Sequence, residues 1–236
     1  MKFIRTLFFY LLLLITFFLG TAWAILFSLF SSPSNRIKNF QKVAKQWGNL
    51  LVWISGIPLS VRGIENLPKN ESVIYASNHQ GAADILILLA VLPENFTFII
   101  KKELFDIPLF GWYLRAAGYI SIDRGSRRGA VEMINNSIKR LKEGGSILVF
   151  PEGTRSPDGK LQEFKRGSLL LAYKAGVRVV PIAIDGSYYI LPKKSRLINP
   201  VPVKVSIGEP FSLDKFEGDY NKANDELYKI IEKMLG

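Results

Sequence analysis

The stretch Ser72–Val91, SVIYASNHQGAADILILLAV, contains an apolar strand, a polar loop and an apolar helix in direct succession. The residues of Ser72–Ser77 are typical of a short buried strand, and a helix is predicted over Ala83–Val91. The loop between them holds His79, the one histidine of the chain, and Asp84 follows five residues later. Open α/β sheets bind ligands beyond the carboxyl ends of their strands. The stretch therefore predicts an α/β fold with a functional site at His79.

Short apolar strands continue to alternate with helices along the rest of the chain. The pattern predicts an α/β domain over residues 58–236, with a mixed, largely parallel sheet flanked by helices. No glycine-rich nucleotide-binding motif is present. The predicted strands are Leu59–Arg62, Ser72–Ser77, Phe96–Ile100, Tyr119–Ile122, Ser146–Phe150, Val177–Ile184 and Val203–Ile207. The predicted helices are Ala83–Val91, Arg127–Lys142, Gly167–Lys174 and Asn221–Leu235.

Residues 1–57 differ from this domain in hydropathy. Leu7–Phe30 is an apolar run of 24 residues without a charge, long enough to cross a bilayer core of about 30 Å. A basic amphipathic helix is predicted to begin after Ser31–Asn35 and to end near Gly56. We expect the two helices to form a membrane anchor. The alternative for the second helix is that its apolar stripe packs on the α/β domain.

The net charge of +11 is unevenly distributed, because every charged residue before Glu65 is basic. A basic and apolar segment indicates an anionic membrane surface rather than nucleic acid, and no nucleic-acid-binding motif is present. Cations on both sides of the apolar run favour a hairpin in one leaflet over a single span. A full span and a cleaved signal peptide remain alternatives. The basic residues are Lys2, Arg5, Arg36, Lys38, Lys42, Lys45 and Arg62.

Three further segments place charged residues after predicted strands. They are KKEL from Lys101, GYISIDR ending at Arg124, and FPEGTRS, which contains Glu152 and Arg155. An arginine fork suits a phosphate, because it donates two parallel charge-assisted hydrogen bonds. Taken alone, each segment is equally compatible with a solvated surface turn.

The order NHQGAAD, KKEL, GYISIDR, FPEGTRS and VPIAI, within residues 61–208, resembles the glycerolipid acyltransferase family. One departure is Ser121, where that family often has an aromatic residue. The resemblance implies a glycerol-3-phosphate acyltransferase-like fold and transfer of an acyl group to the free hydroxyl of 1-acylglycerol 3-phosphate. It implies that His79 and Asp84 are catalytic. The residues implied to bind the glycerophosphate are Lys101, Arg124, Glu152, Gly153 and Arg155.

The residue chemistry is compatible with this activity. His79 can serve as the base for a hydroxyl proton, with Asp84 as its orienting carboxylate. The chain has no cysteine and no Gly-x-Ser-x-Gly elbow, so direct attack by the acceptor hydroxyl is the simpler mechanism. Backbone N–H groups around Gly81–Ala83 are the first candidates for binding the oxyanion.

The resemblance also implies partners and a location. The acyl donor is expected to be acyl-CoA or an acyl carrier protein, with membrane lipids and lysophosphatidic acid as partners and no cofactor or metal. Residues 1–57 would hold the enzyme at the cytoplasmic face of the cell membrane. Glycerol 3-phosphate or another lysophospholipid is an alternative acceptor. Two other classes stay open: a membrane-binding protein without catalysis and, on net charge alone, a nucleic-acid-binding protein.

Overall fold

The computed structural model describes residues 2–192 and 196–236, without the side chains of residues 33 and 34. Its centre is a seven-stranded sheet of order β1-β7-β6-β2-β5-β3-β4. Every neighbouring pair is parallel except β6 and β7, which confirms the predicted mixed, largely parallel sheet. The strands are β1 Leu59–Arg62, β2 Ile74–Ser77, β3 Phe96–Lys101, β4 Ile120–Ile122, β5 Ser146–Val149, β6 Val179–Asp185 and β7 Val203–Ile207.

Eight α-helices surround the sheet in the described part of the chain. Three-residue and four-residue 3-10 turns occur at Ile64–Asn66, Ser187–Tyr189 and Leu213–Phe216. The helices are α1 Lys2–Leu29, α2 Pro33–Ser55, α3 Ala83–Val91, α4 Lys102–Phe105, α5 Phe110–Ala116, α6 Arg127–Lys142, α7 Leu170–Ala175 and α8 Tyr220–Leu235.

The alternation of side chains along the strands divides the interior into two cores. Val73 and Tyr75 lie on one face of the sheet, in the core that α2, α3 and α5 cover. Ile74 and Ala76 lie on the other face, in the core that α6, α7 and α8 cover. Because both faces are covered, the central strands carry apolar side chains on both faces, as expected for a largely parallel sheet.

The two N-terminal helices pack against each other, and α2 packs on α3 and α5. The indole N–H of Trp47 in α2 donates a hydrogen bond to the hydroxyl of Thr16 in α1. The start of α1 is also bound to the α/β domain, since the Arg5 guanidinium donates to the carbonyl of Ile198 at 3.1 Å. The Ile198 N–H in turn donates to the Thr6 hydroxyl at 3.1 Å.

Much of the apolar surface of α1 remains exposed. Phe18, Leu19 and Trp23 are each more than half exposed. Helix α1 is long and apolar enough to cross a membrane by length and composition. The apolar stripe of α2, in contrast, is buried: Phe40, Val43 and Leu51 belong to the core. The alternative prediction, that this stripe packs on the domain, is therefore correct for α2.

Candidate active site

The carboxyl ends of four adjacent strands meet at one edge of the sheet, because β2, β5, β3 and β4 are mutually parallel. His79 follows β2, Glu152 follows β5, Lys101 ends β3 and Arg124 follows β4. The register keeps these strand ends level, since Ala76 pairs with Val149 and Lys101 with Ile122. The topology therefore gathers all the residues predicted for the site along one edge.

His79 and Asp84 form a direct pair. The Nδ1 atom of His79 lies 2.7 Å from Oδ2 of Asp84, whose side chain is fully buried. Asp84 also accepts hydrogen bonds from the Gly81 N–H at 2.9 Å and from the Ser187 hydroxyl at 2.5 Å. A carboxylate only accepts, so the proton of the neutral imidazole is assigned to Nδ1. This tautomer leaves Nε2 unprotonated and able to accept a proton from a substrate.

The ring of His79 is held against the end of β5. It stacks on Phe150 with a centroid distance of 3.9 Å and an interplanar angle of 15°. The side chain of His79 retains 15% of its exposure. The ring is thus fixed in position while one edge stays accessible.

Glu152 lies where it contacts the backbone of His79. Its Oε1 accepts the His79 N–H at 2.9 Å, and the nearby Ser156 N–H donates to the His79 carbonyl at 2.8 Å. Glu152 is only 3% exposed, and Oε2 is buried without a hydrogen-bond partner in the described structure. Burial raises the pKa of Glu152 to about 7, although the His79 and Gln162 N–H groups oppose this shift. A carboxyl group in this position supports the loop that carries His79.

Gly153 and Arg155 continue the same segment. Gly153 closes a turn through its N–H to the Phe150 carbonyl at 2.9 Å. Its φ of +71° is a conformation that glycine adopts without strain, and a Cβ there would come within 2.8 Å of the Lys165 side chain. Arg155 is exposed, one residue before the Ser156 amide that holds His79.

Lys101 and Arg124 lie farther along the edge and do not contact His79. One strand separates β3 from β2 and two separate β4 from β2, which corresponds to about 10 and 14 Å at the usual strand spacing. Both side chains are exposed. Neither these two cations nor Arg155 forms an ion pair with a carboxylate in the described residues. All three are therefore available to an anionic ligand.

Two buried polar residues of the site carry no signal that singles them out in the sequence. Ser187 lies in a 3-10 turn after β6 and reaches Asp84 only through the fold. Asn78 belongs to the quoted motif, and its side chain binds both backbone groups of Ile184, which joins the His79 loop to β6. The Gly81 N–H, expected to be available for an oxyanion, already donates to Asp84.

An apolar cavity of about 100 Å³ lies between α1, α2, α3, α5 and the sheet. Ile85, next to Asp84 in sequence, contributes to its wall, as do Phe98 and Ile100 of β3. Its lining suits hydrocarbon better than a polar group. Within residues 2–192 and 196–236, no group of three or more histidine or acidic side chains is arranged to hold a metal ion.

The sequence of this α/β domain matches a known family. Residues 58–185 match the family model of the Acyltransferase family. The chain belongs to this acyltransferase family, as the similarity of its relatives also shows. A 1-acyl-sn-glycerol-3-phosphate acyltransferase of Pseudomonas aeruginosa is 36% identical over 98% of this chain and 89% of its own length.

A solved structure and plant relatives extend the comparison. The crystal structure of the 1-acyl-sn-glycerophosphate (LPA) acyltransferase PlsC from Thermotoga maritima has a TM-score of 0.87 and 31% identity, covering 98% of this chain and 93% of that one. A chloroplastic 1-acyl-sn-glycerol-3-phosphate acyltransferase of Arabidopsis thaliana is 35% identical over 94% of this chain. The chain spans 60% of the length of that plant protein and 63% of a Brassica napus relative.

Proposed function

We propose that the protein transfers a fatty acyl group from an acyl thioester to the free hydroxyl of 1-acylglycerol 3-phosphate, which yields phosphatidic acid. The observation that carries the proposal is the His79–Asp84 pair at 2.7 Å, on an edge of the sheet that also presents three exposed cations. The names of the relatives from Pseudomonas and Thermotoga support the choice of acceptor.

In the proposed reaction, Nε2 of His79 removes the proton of the acceptor hydroxyl. The hydroxyl oxygen attacks the thioester carbonyl, and a C–O bond forms as the carbonyl becomes an oxyanion. When this intermediate collapses, the C–S bond breaks, and the imidazolium returns its proton to the leaving thiolate. Asp84 holds the ring in the tautomer that this transfer needs and stabilises the positive charge. Ser187 and Gly81 orient Asp84 through their hydrogen bonds.

The phosphate of the acceptor is assigned to the cations of the edge. Arg155 lies nearest to His79 in the fold, and Arg124 and Lys101 extend the positive surface toward β4. The geometry supports a different role for two other members of the predicted set. Glu152 positions the backbone of His79, and Gly153 permits the turn that brings Arg155 to the edge.

The acyl acceptor and the acyl donor reach the site from different phases. A lysophospholipid resides in a membrane, whereas acyl-CoA or acyl carrier protein arrives from water, where the positive surface attracts their acidic groups. The apolar cavity beside Ile85 is suited to part of an acyl chain. No cofactor is required, since the histidine and the acceptor supply the groups that the transfer uses.

We assign the protein to the cytoplasmic face of the cell membrane, with α1 lying within one leaflet. The hydrogen bonds of Arg5 and Thr6 to Ile198 hold the start of α1 on the α/β domain. The middle of α1 is held too, because Phe17 contacts Phe110 of α5. A helix that contacts the α/β domain at its start and at its middle lies along that domain. If α1 crossed the bilayer, one of these two contacts would be lost. These contacts support the hairpin over the full span.

The test is an assay of purified protein with labelled palmitoyl-CoA and three acceptors in parallel. We expect labelled phosphatidic acid from 1-acylglycerol 3-phosphate. A higher kcat/KM with glycerol 3-phosphate or another lysophospholipid would replace the proposed acceptor. Absence of transfer to all of them, with labelled acyl carrier protein as a second donor, would contradict the proposed activity.

A further inference from the structure

The segment from α4 to α5 carries exposed apolar side chains that the proposed reaction does not use. Leu104 is 39% exposed, Ile107 46%, Leu109 37% and Trp112 44%. A single exposed apolar side chain is ordinary, but contiguous apolar surface marks an interaction site. These four side chains, which lie within nine residues, are called the 104–112 patch here.

The backbone of this patch is strained at its tip. Leu109 has φ of +60° and ψ of −49°, and the Phe110 N–H donates to the Pro108 carbonyl at 2.6 Å. This is a γ-turn of the rare kind with positive φ, which is unfavourable for a residue with a Cβ. Glycine would adopt it at lower cost, yet a large apolar residue occupies the position. Leu109 keeps 37% of its surface exposed, so part of this apolar side chain is available to a surface outside the protein.

The patch adjoins the N-terminal helices. The ring of Phe110 lies 5.8 Å from that of Phe17 in α1, and the ring of Trp112 lies 5.7 Å from that of Phe40 in α2. It is therefore on the face of the sheet that α1 and α2 cover. The opposite face is covered by α6, α7 and α8. An object that contacts the exposed side of α1 can contact the patch at the same time.

The charge around the patch is complementary to an anionic surface. Neither α1 nor α2 contains an acidic residue, and Arg36, Lys38 and Lys42 are exposed on α2. Of the two acidic residues in the segment, Glu103 is exposed, and Asp106 lines a cleft together with Lys102, Arg115, Lys139, Arg140 and Glu143. Four cations against two carboxylates leave this cleft with a net positive charge.

We propose that the 104–112 patch is a second membrane-inserting element, which enters the headgroup and upper acyl region of an anionic bilayer beside α1 and the basic face of α2. The proposal rests on the membrane location given under the proposed function. A bilayer fits the patch because the patch continues the surface of a helix that is apolar enough to enter lipid. Tryptophan is also favoured where an apolar ring meets the polar headgroups.

This placement has a consequence for the substrate. Lys101 ends β3 directly before α4, and Arg124 follows the neighbouring strand β4. When the patch is inserted, both cations lie close to the level of the lipid phosphates. The acceptor can then reach them without leaving the membrane.

The test uses single-tryptophan variants of the full-length protein on phosphatidylglycerol vesicles with brominated acyl chains. Replacing Trp23, Trp47 and Trp53 by Phe leaves Trp112 as the reporter of the patch. A second variant that retains only Trp23 reports α1. The control is V131W in a background without other tryptophans, because Val131 is 57% exposed on α6, on the opposite face.

We expect bromine to quench Trp112 as it quenches Trp23, and to leave the reporter on α6 unquenched. Quenching of Trp23 alone would overturn the inference about the patch, and the proposed insertion of α1 into the membrane would still stand. If neither is quenched, the membrane location itself is wrong and the inference fails with it. An emission shift of Trp112 on addition of acyl carrier protein, without quenching by lipid, would overturn the inference in favour of a protein partner.

A double variant measures the contribution of the patch to binding. Ile107→Ser with Trp112→Ser should lower the vesicle partition coefficient by about 10-fold or more, because two large apolar side chains no longer enter lipid. The rate on detergent-dispersed short-chain acceptor should be unchanged, which shows that the variant is folded. Val131→Ser is the matched control and should bind like the parent. Equal partitioning of the parent and the double variant would refute the proposal.

Discussion

The buried carboxylate of Glu152 accepts a hydrogen bond from the backbone N–H of His79 at 2.9 Å. The FPEGTRS segment after β5 therefore holds the His79 loop after β2. The Ser156 N–H completes the arrangement by donating to the His79 carbonyl at 2.8 Å. Both polar groups of the His79 backbone are thus bound by residues that follow β5. The FPEGTRS segment therefore fixes the position of the proposed base as well as presenting Arg155.

Glu152→Ala should lower kcat with little change in the KM for the acceptor. The substitution leaves a buried N–H without a partner and loosens the loop that carries His79, and small misplacements of a reacting group cost on the order of 10²-fold in rate. Glu152→Gln retains an acceptor oxygen and should keep most of the rate. Steady-state kinetics with both substrates give the two constants. A raised acceptor KM with unchanged kcat would show instead that Glu152 binds the headgroup.

Glu152 should also make stability depend on pH. Burial raises its pKa from 4.5 to about 7, so between these values the folded protein holds a proton that the unfolded chain has released. The contribution of this group to the free energy of unfolding therefore falls as pH rises from about 4.5 to 7. Thermal melts from pH 5 to 8 should show the parent losing Tm relative to Glu152→Gln as pH increases. Parallel curves for the two proteins would contradict this prediction.

His79→Ala should reduce kcat by about 10²–10⁴-fold, the usual contribution of a general base. Asp84→Asn should cause a loss of about 10²-fold or more, because the amide no longer fixes the Nδ1-protonated tautomer. The melting temperature of each variant is measured first, since Asp84 accepts three hydrogen bonds in the interior. A well-folded His79→Ala protein that keeps a tenth or more of the parental rate would exclude His79 as the base.

Arg124→Ala and Arg155→Ala should each raise the KM for the acceptor and leave the KM for the acyl donor nearly unchanged. A charge-assisted contact to phosphate is worth about 1.5–3 kcal/mol, which corresponds to roughly 10- to 100-fold. Arg62→Ala is the matched control, because β1 runs opposite to β2 and Arg62 lies at the other edge of the sheet. If donor KM rises in place of acceptor KM, these arginines bind the thioester substrate.

Cysteine labelling distinguishes the hairpin from the span, since the chain has no natural cysteine. Lys2→Cys marks the start of α1, and Asn35→Cys lies just beyond its end, in the first turn of α2; both positions are exposed. In sealed inverted vesicles, an impermeant maleimide should label both, as it should label Lys222→Cys on α8. Labelling of Asn35→Cys alone, with Lys2→Cys reached only after permeabilisation, would establish a spanning helix.

Local patterns in the sequence were sufficient for most elements of the domain. The predicted limits of α3 and α6 agree with the structure at both ends, and those of the strands differ by at most two residues. Helices α4 and α5, of four and seven residues, were not predicted, and α7, of six residues, begins three residues later than predicted. The strand order also lay beyond local reasoning, since β2 is flanked by β5 and β6 from far along the chain.

The contacts of the site also divide into local ones, which the sequence predicts, and long-range ones, which it does not. The pairing of His79 with Asp84 follows from a spacing of five residues across one loop, and sequence reasoning reached it. The contact between Glu152 and His79 spans 73 residues, and that between Ser187 and Asp84 spans 103. Such contacts depend on which strands become neighbours. The resemblance implied a headgroup role for Glu152, and only the fold shows that its carboxylate is buried and accepts the His79 N–H.

The bond between Arg5 and Ile198 joins residues 193 positions apart. During synthesis at about 5–20 residues per second, on the order of 10–40 s separate the two. Over that interval the α/β domain that holds the start of α1 is incomplete. In the proposed membrane protein, α1 is therefore delivered to lipid first, and the α/β domain completes its folding on a helix that is already at the bilayer. The connection between β6 and β7, which contains Ile198, then binds the start of α1.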